Sequence, residues 1–84
     1  MMNETIRALV TKFGGLPVGV ETLADDADLY AAGLSSFASV QLMLGLEEAF
    51  DMEFPDHLLN RKSFASIKTI EATVNAILGD RKVA

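Results

Sequence analysis

Two adjacent serines, Ser35 and Ser36, stand at the mouth of the stretch GLSSFASVQLMLGLEEAF. A serine hydroxyl can attack as a nucleophile, cap a helix, or carry a group joined to it. Attack needs a base, and the only histidine, His57, sits on an expected surface turn with no Ser-His-acid spacing around it. The absence of cysteine removes thiol nucleophiles, disulfides and Cys-based metal sites. The acidic group Asp25, Asp26 and Asp28 invites a calcium reading. Counting an EF-hand loop from Asp26, however, puts Tyr30 where an oxygen ligand belongs and Ala31 where glycine is needed. Neither an enzyme nor a metal site is expected.

The serines therefore have to be read with the helix they introduce. Helical spacing predicts a helix from just after Ser35 to about Asp51. At about 100° per residue, Leu42, Met43, Leu46 and Phe50 share one side and form the core face. Phe37, Val40 and Leu44 lie almost opposite, with Gln41 and Glu48 among them. A helix with Glu47, Glu48 and Asp51 in its last turns is poorly suited to full burial. The second stripe is expected to face a partner, with the long preceding loop as its alternative cover. Ser35 is the natural N-cap. Ser36 then points outward at the first turn, where free N–H groups and the positive end of the helix dipole favour an attached phosphate. Capping alone would also account for the pair.

Three further elements complete the pattern. Ile6, Leu9, Val10 and Phe13 make one face of a first helix, with Asn3 as its expected N-cap and Gly14, Gly15 and Pro17 as its stop. The chain from Leu16 to Ser35 has no period and should be a long loop. Leu23, Leu29, Tyr30 and Leu34 are expected to pin it, with a short helical turn around Ala27 to Ala31. After Pro55, the run DHLLNRK suits a short helix capped by Asp56 with Leu58 and Leu59 turned inward. Ser63 or Ser66 should cap a last helix carrying Ile67, Ile70, Val74 and Ile77, ended by Gly79. The polar tail DRKVA is expected to fray. The expected fold class is all-α: a small four-helix bundle, three main helices and one short, with a long loop between helices one and two. At 84 residues it is expected to be one domain, residues 1–84, and a monomer.

Charge narrows the partners. The net charge is −5, and no Lys or Arg lies between Lys12 and Arg61, a window holding nine of the twelve acids. A one-signed middle repels nucleic acid and suits either a solvated surface or a basic partner. Arg61 and Lys62 are expected to balance it, with a distinct edge of the docking surface as the alternative. No apolar run approaches the ~18 residues of a membrane span. The N-terminus lacks the basic-then-apolar pattern of a signal peptide, so a cytoplasmic protein is expected.

Taken together, these residues resemble the acyl carrier protein family over nearly the whole chain. The strongest part runs from Gly33 to Asp56. Gly33-Leu34-Ser35-Ser36-Phe37 stands where the family has Gly-x-Asp-Ser-Leu, and LEEAF and FPD follow at the family's spacing. The resemblance implies that Ser36 is the attachment residue for 4′-phosphopantetheine, transferred from coenzyme A by a phosphopantetheinyl transferase. The arm's thiol would hold cargo as a thioester. Ser35, Phe37, Val40, Gln41, Leu44, Glu47 and Glu48 would be the partner-docking residues. Ser35 replaces the usual Asp, and Ala38 and Gln41 stand where fatty-acid carriers often have acids, which points to a dedicated partner set. DLYAAGLSSFASVQLMLG and LLNRKSFASIK are most similar to the small aminoacyl carrier proteins of rhizobia and their relatives. That likeness implies a small amino acid cargo, glycine or alanine, and an ATP-dependent amino acid:carrier protein ligase related to seryl-tRNA synthetase. It also implies a downstream acceptor enzyme. A carrier of fatty or polyketide chains is the nearest alternative. A helical adaptor without a prosthetic group is the other.

Overall fold

The computed structural model describes residues 2–83, with side chains to Gly79. The backbone is helical throughout its regular parts, and no strand occurs among the described residues. Four α-helices follow in order: α1 Met2–Phe13, α2 Leu29–Ala32, α3 Ser36–Phe50 and α4 Ile67–Val83. Single 3-10 turns at Val20–Thr22, Asp56–Leu58 and Arg61–Phe64 punctuate the connections.

The apolar periodicities converge on one core. Ile6 and Val10 of α1, Leu42 and Leu46 of α3, and Ile67, Ile70 and Val74 of α4 are fully buried, joined by Leu29 from α2. α1 packs against both α3 and α4. Its contact with α3 is close: a Cβ on Gly45 would come within 2.6 Å of the Phe13 ring. Phe54 and Phe64 stack obliquely at 5.3 Å and close the end of the core behind the last connections. Met43 and Phe50, on the flanks of the α3 core face, are half-buried.

The long loop is ordered by backbone pairing rather than by its few apolar residues alone. The Leu29 amide donates to the Ala65 carbonyl at 2.7 Å, and the Lys68 amide donates to the Asp25 carbonyl at 2.8 Å. The second bond satisfies one of the N–H groups left over at the start of α4. Leu29 and Leu34 are buried and Leu23 and Tyr30 half-buried, as the sequence reading expects.

Several local expectations are corrected. Asn3 is not an N-cap: α1 already includes Met2, and the Asn3 amide instead donates to Asp25 Oδ1 at 3.0 Å. The short turn of the loop begins at Leu29, two residues later than the Ala27 start expected, because Asp28 caps it through the amides of Tyr30 and Ala31. The run after Pro55 is not one short helix but two 3-10 turns. Asp56 makes no side-chain cap there, whereas Asn60 accepts the Ser63 amide at 3.0 Å and restarts the chain. Leu58 turns inward, but Leu59 is 43% exposed. Ser66, not Ser63, caps α4: its hydroxyl accepts the Thr69 amide at 3.1 Å while Thr69 Oγ1 accepts the Ser66 amide at 3.0 Å. Gly79 does not end that helix. Its φ is not positive, so no left-handed cap forms and the backbone stays helical to Val83. The expected fraying concerns residues 80–84, whose side chains lie outside the described structure.

Candidate functional site

The site is built around the start of α3. Gly33 ends α2 with φ 125°, a backbone conformation closed to other residues, and Pro17 packs 2.9 Å from where its Cβ would be. This sharp turn lets α3 begin two residues after the buried Leu34. Ser35 adopts an extended conformation and its Oγ accepts the Ala38 amide at 3.0 Å, the N-cap arrangement. Ser36 is therefore the first helical residue, exposed, with its carbonyl accepting the Ser39 hydroxyl at 2.7 Å. It stands at the positive end of a 15-residue helix. Such a position suits a covalently joined phosphate and offers no base to make the hydroxyl attack anything.

The second stripe of α3 is uncovered. Phe37 is 75% exposed, and Val40 and Leu44 are each 50% exposed. The long loop instead turns toward α1 and the start of α4. Gln41 is half-buried and Glu48 exposed at the rim. Glu47 has a task within the fold: its Oε2 accepts the Phe54 amide at 3.0 Å, tying the chain after α3 back to that helix.

Beside Ser36 runs a groove of about 470 Å³. One wall is α3, with Ser36, Ser39, Val40 and Met43; the other is Tyr30 with Leu59, Asn60, Arg61 and Phe64. Of the second wall, only Arg61 has a place at the site in the sequence reading, as the alternative edge of the docking surface. Arg61 also makes a specific contact. Its guanidinium carbon lies 3.9 Å from the centroid of the Tyr30 ring, stacked on its face. Nothing in the residue order signals this contact; residues 31 positions apart meet through the fold, not through spacing.

His57 is exposed in its 3-10 turn, where its carbonyl accepts the Asn60 side chain at 3.1 Å. Among the described residues, no cluster of three or more His, Asp or Glu is placed to hold a metal ion.

Fold and site together define a carrier protein: a helical bundle presenting one serine at a helix start beside an open apolar stripe. Residues 4–77 match the phosphopantetheine attachment site family, and the chain belongs to that family. The chain is 72% identical to an aminoacyl carrier protein of Agrobacterium fabrum over 83 residues, spanning 99% of this chain and all of the relative. It lies among the aminoacyl carrier proteins, and it is a carrier, not an enzyme. A crystal structure of an engineered Bradyrhizobium japonicum glycine:[carrier protein] ligase, complexed with ATP and a carrier protein from Agrobacterium tumefaciens, contains a chain of the same fold. That chain superposes with TM-score 0.90 at 75% identity, covering 92% of this chain and all of that one. A structure of the Bradyrhizobium japonicum ligase with glycylated carrier protein matches with TM-score 0.74 at 28% identity, over 86% of this chain and 96% of the other.

The residues present fit the prosthetic group. Ser36, exposed at the first turn of α3, would supply a hydroxyl for the phosphodiester, with that turn's backbone N–H groups and dipole favouring its charge. When joined, the group supplies a thiol that forms a thioester.

Proposed function

We propose that Ser36 carries 4′-phosphopantetheine and that the chain, a single domain acting as a monomer in the cytoplasm, holds a small amino acid on the arm's thiol. Glycine or alanine is the cargo. An ATP-dependent ligase related to seryl-tRNA synthetase loads it, and a downstream enzyme accepts it. The carrying observation is the exposed Ser36 at the first position of α3, directly beside the open Phe37, Val40 and Leu44 stripe. A ligase docked on that stripe would meet the base of the arm. The full-length likeness to an aminoacyl carrier protein, and the carrier chains seen with glycine ligases, support this cargo.

Docking would use apolar contact from Phe37, Val40 and Leu44, with Ser35, Gln41 and Glu48 at the rim. Glu47 would contribute charge while its carboxylate holds Phe54. A patch of this size releases its partner easily, as a shuttle must. Tethering raises the effective concentration of cargo at each partner. No described helix is long and apolar enough to cross a membrane.

Intact mass tests the reading. Incubation with coenzyme A and a broad phosphopantetheinyl transferase should add one phosphopantetheine to wild type and none to Ser36→Ala. The holo protein should then gain one glycyl or alanyl group with ligase and ATP, released by hydroxylamine. Loading with fatty or malonyl groups but not with amino acids would instead support the acyl-chain alternative.

A further inference from the structure

We propose that Arg61 is a cationic anchor of the docking face and pairs with a carboxylate on the ligase that loads the protein. The inference rests on the carrier reading and concerns how that ligase is held and which way round. Ser36 and Arg61 stand on opposite walls of one groove. Val40 belongs both to that groove and to the exposed α3 stripe. Arg61 is therefore continuous with the Phe37, Val40 and Leu44 face and not a separate patch.

Local caps put the arginine there. Asp28 caps α2 through the Tyr30 and Ala31 amides and so sets Tyr30 in place. Asn60 accepts the Ser63 amide at 3.0 Å and so shapes the turn that carries Arg61. The guanidinium carbon then lies 3.9 Å from the Tyr30 ring centroid. Stacking uses one face of the guanidinium and leaves its N–H edge for a carboxylate. Among the described residues no carboxylate pairs with that edge; the ion pair formed within the bundle is Arg7 with Asp25. Because the ring already holds the guanidinium, pairing with a partner costs less side-chain freedom than it would for an unstacked arginine.

Charge along the face has a direction. Residues 36–46 of α3 carry none. Arg61 is the groove residue charged at neutral pH. The exposed acids Glu48 and Glu53 lie at the opposite end of the helix and just past it. Glu48 follows Ser36 by three turns, about 18 Å along the axis. A face with a cation at one end and acids at the other fits a complementary surface one way round. Turned end for end, Arg61 would meet the basic groups that suit Glu48, and like charges would repel. The partner so selected has an acidic group close to where the arm enters it.

Steady-state loading by an amino acid:carrier protein ligase, with ATP and glycine, tests this. Each variant is first brought fully to the holo form, as checked by intact mass. Arg61→Gln should raise KM for the carrier about three- to tenfold and leave kcat nearly unchanged. Arg61→Glu should raise KM further, and Arg61→Lys, which keeps the charge, should fall between wild type and Arg61→Gln. The KM of wild type should also climb more steeply with salt than that of Arg61→Gln. Arg61 is exposed, so the variants should keep the amide spectrum of the folded protein. A KM lowered by Arg61→Glu or indifferent to it would overturn the proposal, and so would an effect on kcat alone. If wild type accepts no arm or no amino acid, the carrier reading falls and this inference with it. If wild type is loaded and Arg61→Glu is loaded equally well, only this inference falls.

Discussion

The Arg7 guanidinium meets the Asp25 carboxylate at 2.6 Å, tying α1 to the far part of the long loop. The same side chain donates to the Val20 carbonyl at 2.8 Å and to Asn3 Oδ1 at 3.0 Å. Asp25 in turn accepts the Lys68 amide through its backbone carbonyl. One Arg–Asp pair thus links α1, the loop and the start of α4. The loop that positions Gly33 and Ser35 is held from below, and the α3 stripe stays open.

The Arg7 and Asn3 hydrogen bonds hold the Asp25 carboxyl below its ordinary value of 3.8. A carboxylate depressed in the folded state contributes stability above its unfolded pKa, and loses it as pH falls through the folded value. Wild type should therefore exceed Asp25→Asn in urea midpoint at neutral pH, and the gap should narrow below about pH 4. A gap constant across that range would mean the ionised carboxylate contributes nothing. Arg7→Ala, which also removes one of the two donors to the Val20 carbonyl, the other being the Leu23 amide, should cost about 1–2 kcal/mol in the same measurement.

Ser35→Ala removes the N-cap of α3 and should lower stability by about 1 kcal/mol. Ser35→Asp keeps an acceptor for the Ala38 amide and adds a charge favoured at a helix start, worth about 0.3–1 kcal/mol. Thermal unfolding should rank Asp at or above Ser, and both above Ala. The Asp variant also carries the residue usual in acyl carrier proteins at this place, so a general phosphopantetheinyl transferase should modify it faster than wild type.

Gly33→Ala should be among the costlier single-atom changes in the chain. A Cβ there meets Pro17 at 2.9 Å, and φ 125° excludes side chains in any case. Strain of about 1–3 kcal/mol is expected, seen as a lowered unfolding midpoint. An unchanged midpoint would show that the α2–α3 turn can relax.

Phe37→Ala should leave stability within about 0.5 kcal/mol, because the ring is 75% exposed. Ligase loading should suffer instead. An exposed aromatic that anchors a small interface is worth about 1–2 kcal/mol, or roughly five- to thirtyfold in kcat/KM. Loss of stability with normal loading would place the ring in the fold rather than the interface.

Much of this was legible from residue order, because it depends on neighbours along the chain. The spacing of Ile6, Val10, Leu42, Leu46, Ile70 and Val74 determined the three long helices, and all six are buried. A serine before an apolar run determined the cap at Ser35, since capping involves only atoms three residues apart. The open Phe37 stripe followed from one helix carrying more apolar surface than one core can take. Tertiary structure decided what depends on distant partners. Asn3, already inside α1, bonds Asp25 from the distant loop instead of capping. Gly79 stayed helical because a glycine ends a helix only when its backbone turns left-handed, and here it does not. The groove beside Ser36 exists because the fold brings Tyr30 under Arg61 and turns Leu59 outward. Neither contact has a local signature, since helical periodicity says which residues share a face but not which faces meet.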